Sequence, residues 1–466
     1  MFRLRPRLSL LLVSLFLAVG GLAGPFGWHA APAVVLAQSG PAVEQGTGAD
    51  AATVFDTIRR RVADLRGLEP RQDVPRITLT PEELQARTVE DLSDPETQAN
   101  IEHSRQLMVA LGLLAPDVDL YALELAFRAG IVLGQYDPDT KQLYVVTGTD
   151  PTSPLARVTF AHEYTHALQD QHYDIRALMP KNSDNSDRDL AVSALLEGDA
   201  LIMEQVFQRQ TMTPAERQAK QRQESTLASS IDLSQVPLVL REETYFPYEL
   251  GPDFIATVIG RDAIREALDQ GTGYGPRVNR LFENPPRSSA QIIHPEKYIN
   301  GVAPIPVTFP DLAAALGEGW QQLETDVLGE IDHRILIQQF LDRQRGDQAA
   351  SGWAGDAYAL MGNGSQVAVV VSSRWDSPAS AGAWYDAYTQ ALQARYGARL
   401  EVLEQRPERI VWRTPDGVQA LSRAGTILHL LLAPTVEQTG RLEQALTASE
   451  GAAGQLLPAL VGAVGW

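Results

Sequence analysis

The stretch Val158-Thr159-Phe160-Ala161-His162-Glu163-Tyr164-Thr165-His166-Ala167-Leu168-Gln169-Asp170-Gln171 decides how this chain is read. Ser153-Pro154 just before it supplies a helix start, and Leu155, Val158, Phe160, Ala161 and Leu168 give that helix an apolar side. His162 and His166 stand four residues apart, so at 3.6 residues per turn they lie about 40° from each other on one face, close enough to share a metal ion. Glu163 falls about 100° round from His162, where it reaches a water in the same site without being a ligand. Neutral imidazoles suit Zn²⁺, and a catalytic zinc takes three protein ligands and keeps one position open. The chemistry expected of such a set is hydrolysis: the metal acidifies a water and polarises a peptide carbonyl, and Glu163 takes the water's proton as general base.

The third ligand has two candidates. Glu197 lies in Ala194-Leu195-Leu196-Glu197-Gly198-Asp199-Ala200, on a helix expected from about Arg188 to Gln208. A carboxylate among apolar residues on a buried helix needs a partner. Gly198 inside that helix costs about 1 kcal/mol relative to Ala, which marks a close approach of another helix or of the site. The alternative is His172, because His162-Glu163-x-x-His166-x-x-Gln169-x-x-His172 has the spacing of the metzincin signature. That signature needs Gly where Gln169 stands, since the helix must stop in a left-handed conformation to swing the last His to the metal. If the helix continues, His172 lies about 120° from His166. Glu197 is therefore the expected ligand.

Together with Glu197-Gly198-Asp199-Ala200 and Phe246-Pro247-Tyr248-Glu249-Leu250-Gly251, the histidine stretch resembles the gluzincin clan of zinc metallopeptidases. More narrowly it resembles exported or surface-associated bacterial and archaeal proteins with a metallopeptidase region. The resemblance spans roughly Gly130 to Tyr298. It implies peptide-bond hydrolysis on a peptide or protein substrate, with one Zn²⁺ per chain on His162, His166 and Glu197. In the aminopeptidase branch a Tyr followed after two residues by Gly donates a hydrogen bond to the oxyanion; Tyr248 with Gly251 is similar, and the plain alternative is a Tyr packed at a turn before the next helix. The chain departs from thermolysin-like members, which carry an Asp four residues after the Glu ligand, at Leu201. Asp170 reads as an orienting carboxylate or as solvated helix charge, and His294 as a second candidate oxyanion donor. A β-hairpin is expected between Gly130 and Val146, turning at Asp137-Pro138-Asp139-Thr140. Leu143–Val146 or Ile131–Leu133 would either bind a substrate backbone by strand addition or form an ordinary buried hairpin.

Composition sets the limits. A formal net charge of −19 argues against a nucleic-acid partner, which is held through Lys and Arg clusters. Arg3, Arg5 and Arg7 followed by an apolar run from Leu8 to Ala23 and small-residue cleavage sites read as a secretory signal. The run falls short of the about 20 residues a spanning helix needs, so an uncleaved N-terminal anchor is the one membrane attachment the sequence allows. With no cysteine, an exported chain of this kind has no disulfides, no Cys-ligated zinc and no thiol nucleophile. The fold class expected is α+β: a signal over 1–37, a flexible linker over 38–52, a metallopeptidase region over 53–300, a helical connector over 301–349, and a small α+β domain over 350–466. A non-catalytic surface-binding or envelope-assembly protein on the same fold is the reading from another class. The retained Glu163 opposes it, since a purely structural metal has no use for a general base.

Overall fold

The computed structural model describes residues 48–128, 133–229 and 236–461, so the signal and most of the linker lie outside the described residues. The chain divides into two compact units, one holding residues 119–183 and 188–302 with the N-terminal part to Ile101, the other residues 102–118, 184–187 and 303 onward.

The first unit is mainly helical. Its elements are α1 (Gly48–Arg66), β1 (Arg76–Leu79), α2 (Pro81–Leu92), α3 (Pro95–Leu111, shared with the second unit), α4 (Leu120–Arg128), β2 (Gly134–Asp137), β3 (Gln142–Val146), α5 (Pro154–Tyr173) and α6 (Ile175–Leu178). There follow α7 (Ser186–Thr211), α8 (Pro214–Ser229), α9 (Leu238–Ile259), α10 (Arg261–Gln270), α11 (Gly275–Glu283), α12 (Ser289–Ile293) and α13 (Pro295–Ile299). α1 already begins at Gly48, so the last residues of the expected linker are helical.

α5 is the axis of this unit. The Ser153 side chain accepts from the Ala156 N–H and Pro154 sits in the first turn, while Asp174 ends the helix in a left-handed conformation with φ 54°. α1, α8 and β2 pack around it, and nearly every residue from Leu155 to Asp170 is buried, polar ones included. Three strands form a sheet in the order β1-β3-β2, with β3 parallel to β1 and antiparallel to β2. The hairpin exists, but its first strand is Gly134–Asp137, pairing Gly134 with Val145, and not Ile131–Leu133; Ile131 and Val132 lie outside the described residues. The Asp137 side chain builds the turn by accepting from the Asp139 N–H at 2.7 Å.

The second unit comprises α14 (Leu312–Leu316), β4 (Gln321–Asp326), α15 (Gly329–Gln338), α16 (Arg343–Ala350), β5 (Trp353–Asn363), β6 (Gln366–Trp375), α17 (Pro378–Tyr396), β7 (Glu401–Arg406), β8 (Arg409–Thr414), β9 (Gly417–Ala424), β10 (Ile427–Ala433) and α18 (Val436–Val461). Its strands form one antiparallel sheet in the order β4-β5-β6-β10-β9-β8-β7. Alternate residues face opposite layers: Ala359, Met361, Val370 and Leu431 join Leu312, Leu316, Leu442 and Leu446 of α14 and α18 in one core. The mixed α+β class is as expected. The stretch 301–349 is not a helical connector throughout. It supplies the edge strand β4, pinned to β5 and tied by the Glu324 carboxylate, which accepts from the Tyr358 hydroxyl.

Candidate metal centre

α5 and α7 bring three side chains to one point. His162 Nε2 and His166 Nε2 lie 3.0 Å apart, and Glu197 Oε2 lies 3.2 Å from the first and 3.5 Å from the second. His162 and His166 are wholly buried, and Glu197 is 1% exposed. Ligand atoms about 2.0–2.2 Å from a tetrahedral zinc are separated by about 3.3 Å, and the observed distances of 3.0, 3.2 and 3.5 Å lie on either side of that spacing. These are the clustered metal-ligating groups found among the described residues. Burial opposes the charged form of Glu197, but the His166 charge and hydrogen bonds to both imidazoles outweigh it and pull the carboxyl down to about 2. Burial likewise opposes a charged His162, and the hydrogen bond to Glu197 with the nearby Glu204 carboxylate outweighs it and pushes its imidazole up to about 9. The two shifts are the two sides of one interaction, the Glu197 carboxylate against the paired imidazoles.

Glu163 is wholly buried, and its Oε2 accepts from the Tyr136 N–H of β2 at 2.7 Å. It also lines a cavity of about 10 Å³ with Phe55, Gly134, Ala156 and Thr159, close to the room one water needs. β2 is an edge strand, whereas β3 is paired on both sides; Leu143–Val146 is therefore closed to strand addition, and the edge beside Glu163 belongs to Gly134–Asp137. Asp170 holds that edge in place. It accepts from the Tyr136 hydroxyl at 2.6 Å, from Lys141 Nζ at 2.7 Å and from the Ile175 N–H at 3.1 Å, so it is not solvated helix charge but a carboxylate that orients its neighbours.

Tyr248 reaches the site from within α9, not from a turn. The approach depends on two glycines: a Cβ on Gly198 would lie 2.5 Å from the Gly251 carbonyl carbon, and one on Gly251 would lie 2.1 Å from the Ala194 oxygen. The close approach marked by Gly198 is thus that of α9. The Tyr248 hydroxyl bonds Glu197, and burial, followed by the Glu197 charge, holds it protonated far above the usual tyrosine range.

Of the other expected residues, His172 does not join the group. α5 runs on through Gln169 to Tyr173, and His172 Nε2 donates to the Glu69 carbonyl at 2.8 Å. His294 sits between α12 and α13, 3.7 Å from Glu296. Glu204 was not anticipated. Its Oε2 lies 3.7 Å from His162 Nδ1 and its Oε1 accepts from Lys220 Nζ at 2.9 Å. It faces His162 Nδ1 as an ion-pair partner, on the same helix as Leu201. Seven residues after Glu197 on the same helix is about 20° off the same face, a signal present in the sequence.

A family model described as a domain of unknown function (DUF8575) matches residues 318–443, inside the second unit and outside the stretch that carries His162, His166 and Glu197. No curated protein matches the chain, and no solved structure does.

Proposed function

We propose that this protein is an exported zinc metallopeptidase of gluzincin type. The observation that carries the reading is the convergence of His162, His166 and Glu197 at tetrahedral spacing with Glu163 beside them and outside the ligand set. Zinc held there would supply Lewis acidity to a peptide carbonyl and a water nucleophile at neutral pH. Glu163, fixed through Oε2 by the Tyr136 N–H, would accept the water's proton and return it to the departing amine. Tyr248, kept protonated, would turn its hydroxyl from Glu197 to the developing oxyanion. Glu204 would hold His162 through Nδ1. The gluzincin reading rests on two helices, α5 with the two histidines and α7 with the glutamate, following a small mixed sheet. Export rests on the N-terminal sequence alone.

The burial of all three ligands favours a second reading, a closed metal site that stabilises a binding or envelope-assembly protein. Glu163→Gln separates the two. The catalytic reading expects the variant to keep its zinc and to hydrolyse a denatured protein substrate about 10²–10⁴-fold more slowly than wild type. A zinc-loaded wild type with no hydrolysis to lose would leave the structural reading standing.

A further inference from the structure

His166 has its hydrogen-bonding polarity fixed from a guanidinium in α1. Its Nδ1 lies 2.9 Å from Gln169 Oε1. At the other end of that amide, Gln169 Nε2 donates to the Leu196 carbonyl at 3.0 Å and to Asp199 Oδ2 at 2.8 Å. Arg66 Nε lies 3.0 Å from both Asp199 oxygens, in an ion pair with no solvent exposure on either side chain, and Arg66 Nη1 donates to Asn279 Oδ1 at 2.8 Å.

Each group in this chain has only one role open to it. A guanidinium can only donate, and the carboxylate paired with it and a backbone carbonyl can only accept. Two acceptors therefore face the same end of the Gln169 amide, and that end has to be the nitrogen. Oε1 then faces His166, and an acceptor there requires the proton on Nδ1. A neutral imidazole protonated at Nδ1 carries its lone pair on Nε2, the atom turned to His162 and Glu197.

We infer that Gln169 is a positioning residue that holds His166 in the tautomer needed for metal binding, its own amide oriented by the Leu196 carbonyl and the Arg66–Asp199 pair. This deepens the zinc site proposed above and rests on it. It also accounts for Gln at position 169, where a metzincin turn would need Gly: here α5 continues, and the side chain one turn beyond His166 is free to cross to α7. The partner is an amide and not a carboxylate, so Gln169 orients His166 without placing a negative charge directly behind it.

The test uses the full chain loaded with zinc and ¹⁵N-labelled at histidine. Long-range ¹H–¹⁵N correlations are expected to show His166 protonated at Nδ1 and metal-bound through Nε2. In Gln169→Met, which keeps the side-chain length and removes both polar ends, the zinc dissociation constant measured by chelator competition is expected to rise about 10–100-fold. Zinc bound through His166 Nδ1 in the wild type, or unchanged affinity in a folded Gln169→Met, overturns the inference and leaves the site intact. If Gln169→Met does not fold, the wild-type tautomer decides by itself. A wild type that takes up no zinc removes the site and the inference with it.

Discussion

At the scale of single residues the centre is a set of hydrogen-bond assignments as much as a set of ligands. Tyr248 is bonded to Glu197 while the site is at rest and has nowhere to lose its proton, so it suits donation to a charge that forms only during reaction. Tyr248→Phe is expected to retain zinc and fold normally while kcat falls about 10²–10³-fold with KM little changed; an unchanged kcat in steady-state assays would return Tyr248 to a packing role. His162, Glu163 and His166 were legible because an i, i+4 pair needs only helical spacing. Glu204 is harder to read from sequence than position 201, one turn beyond Glu197, because it reaches the same face only after two turns. Gln169 was read as a departure from a signature, since its bonds to Leu196 and Asp199 join residues about 30 positions apart that no local pattern connects.

Among the elements, the crossing of α7 and α9 positions Glu197 against Tyr248. No side chain separates the two backbones at Gly198 and Gly251. Gly251→Ala would put a methyl 2.1 Å from the Ala194 oxygen, so the helices must part. The expected outcome is a loss of about 1–3 kcal/mol in stability, read as a lower Tm, with hydrolysis reduced further as Tyr248 withdraws from Glu197. Wild-type Tm and activity together would show that the crossing has slack. Gly198 announced this contact in the sequence, but its partner did not: a Tyr packed at a turn before the next helix was one alternative for Tyr248, whereas the structure carries a single helix through both Pro247 and Pro252. The start of α5 was legible in Ser153-Pro154 because a cap is local chemistry. The hairpin strand was displaced to Gly134–Asp137 because Gly-Gln-Tyr-Asp has little apolar character, and what orders it is the bond from Tyr136 N–H to Glu163 and the Asp170 network.

For the whole molecule, the sequence conveyed an α+β chain with a mainly helical region first and a sheet-bearing unit after it. The second unit starts earlier than its strongest strands suggested. β4, Gln321-Gln322-Leu323-Glu324-Thr325-Asp326, contains one apolar residue, so alternation could not mark it; it is a strand because β5 offers a pairing edge and because Asp326 accepts from the Ser186 backbone N–H at 2.8 Å. The family match beginning at residue 318 agrees with that boundary. β9 shows no clean alternation either: in Gly417-Val418-Gln419-Ala420-Leu421-Ser422 the apolar Val418 and Leu421 stand three apart, and the strand owes its place to β8 and β10 on either side. The central claim remains the metal centre, and elemental analysis of the purified protein beside Glu197→Ala and His172→Ala tests it most directly. One zinc per chain in the wild type and in His172→Ala, lost in Glu197→Ala, is the expected result; a wild type without zinc, or zinc lost with His172 and kept without Glu197, would contradict it.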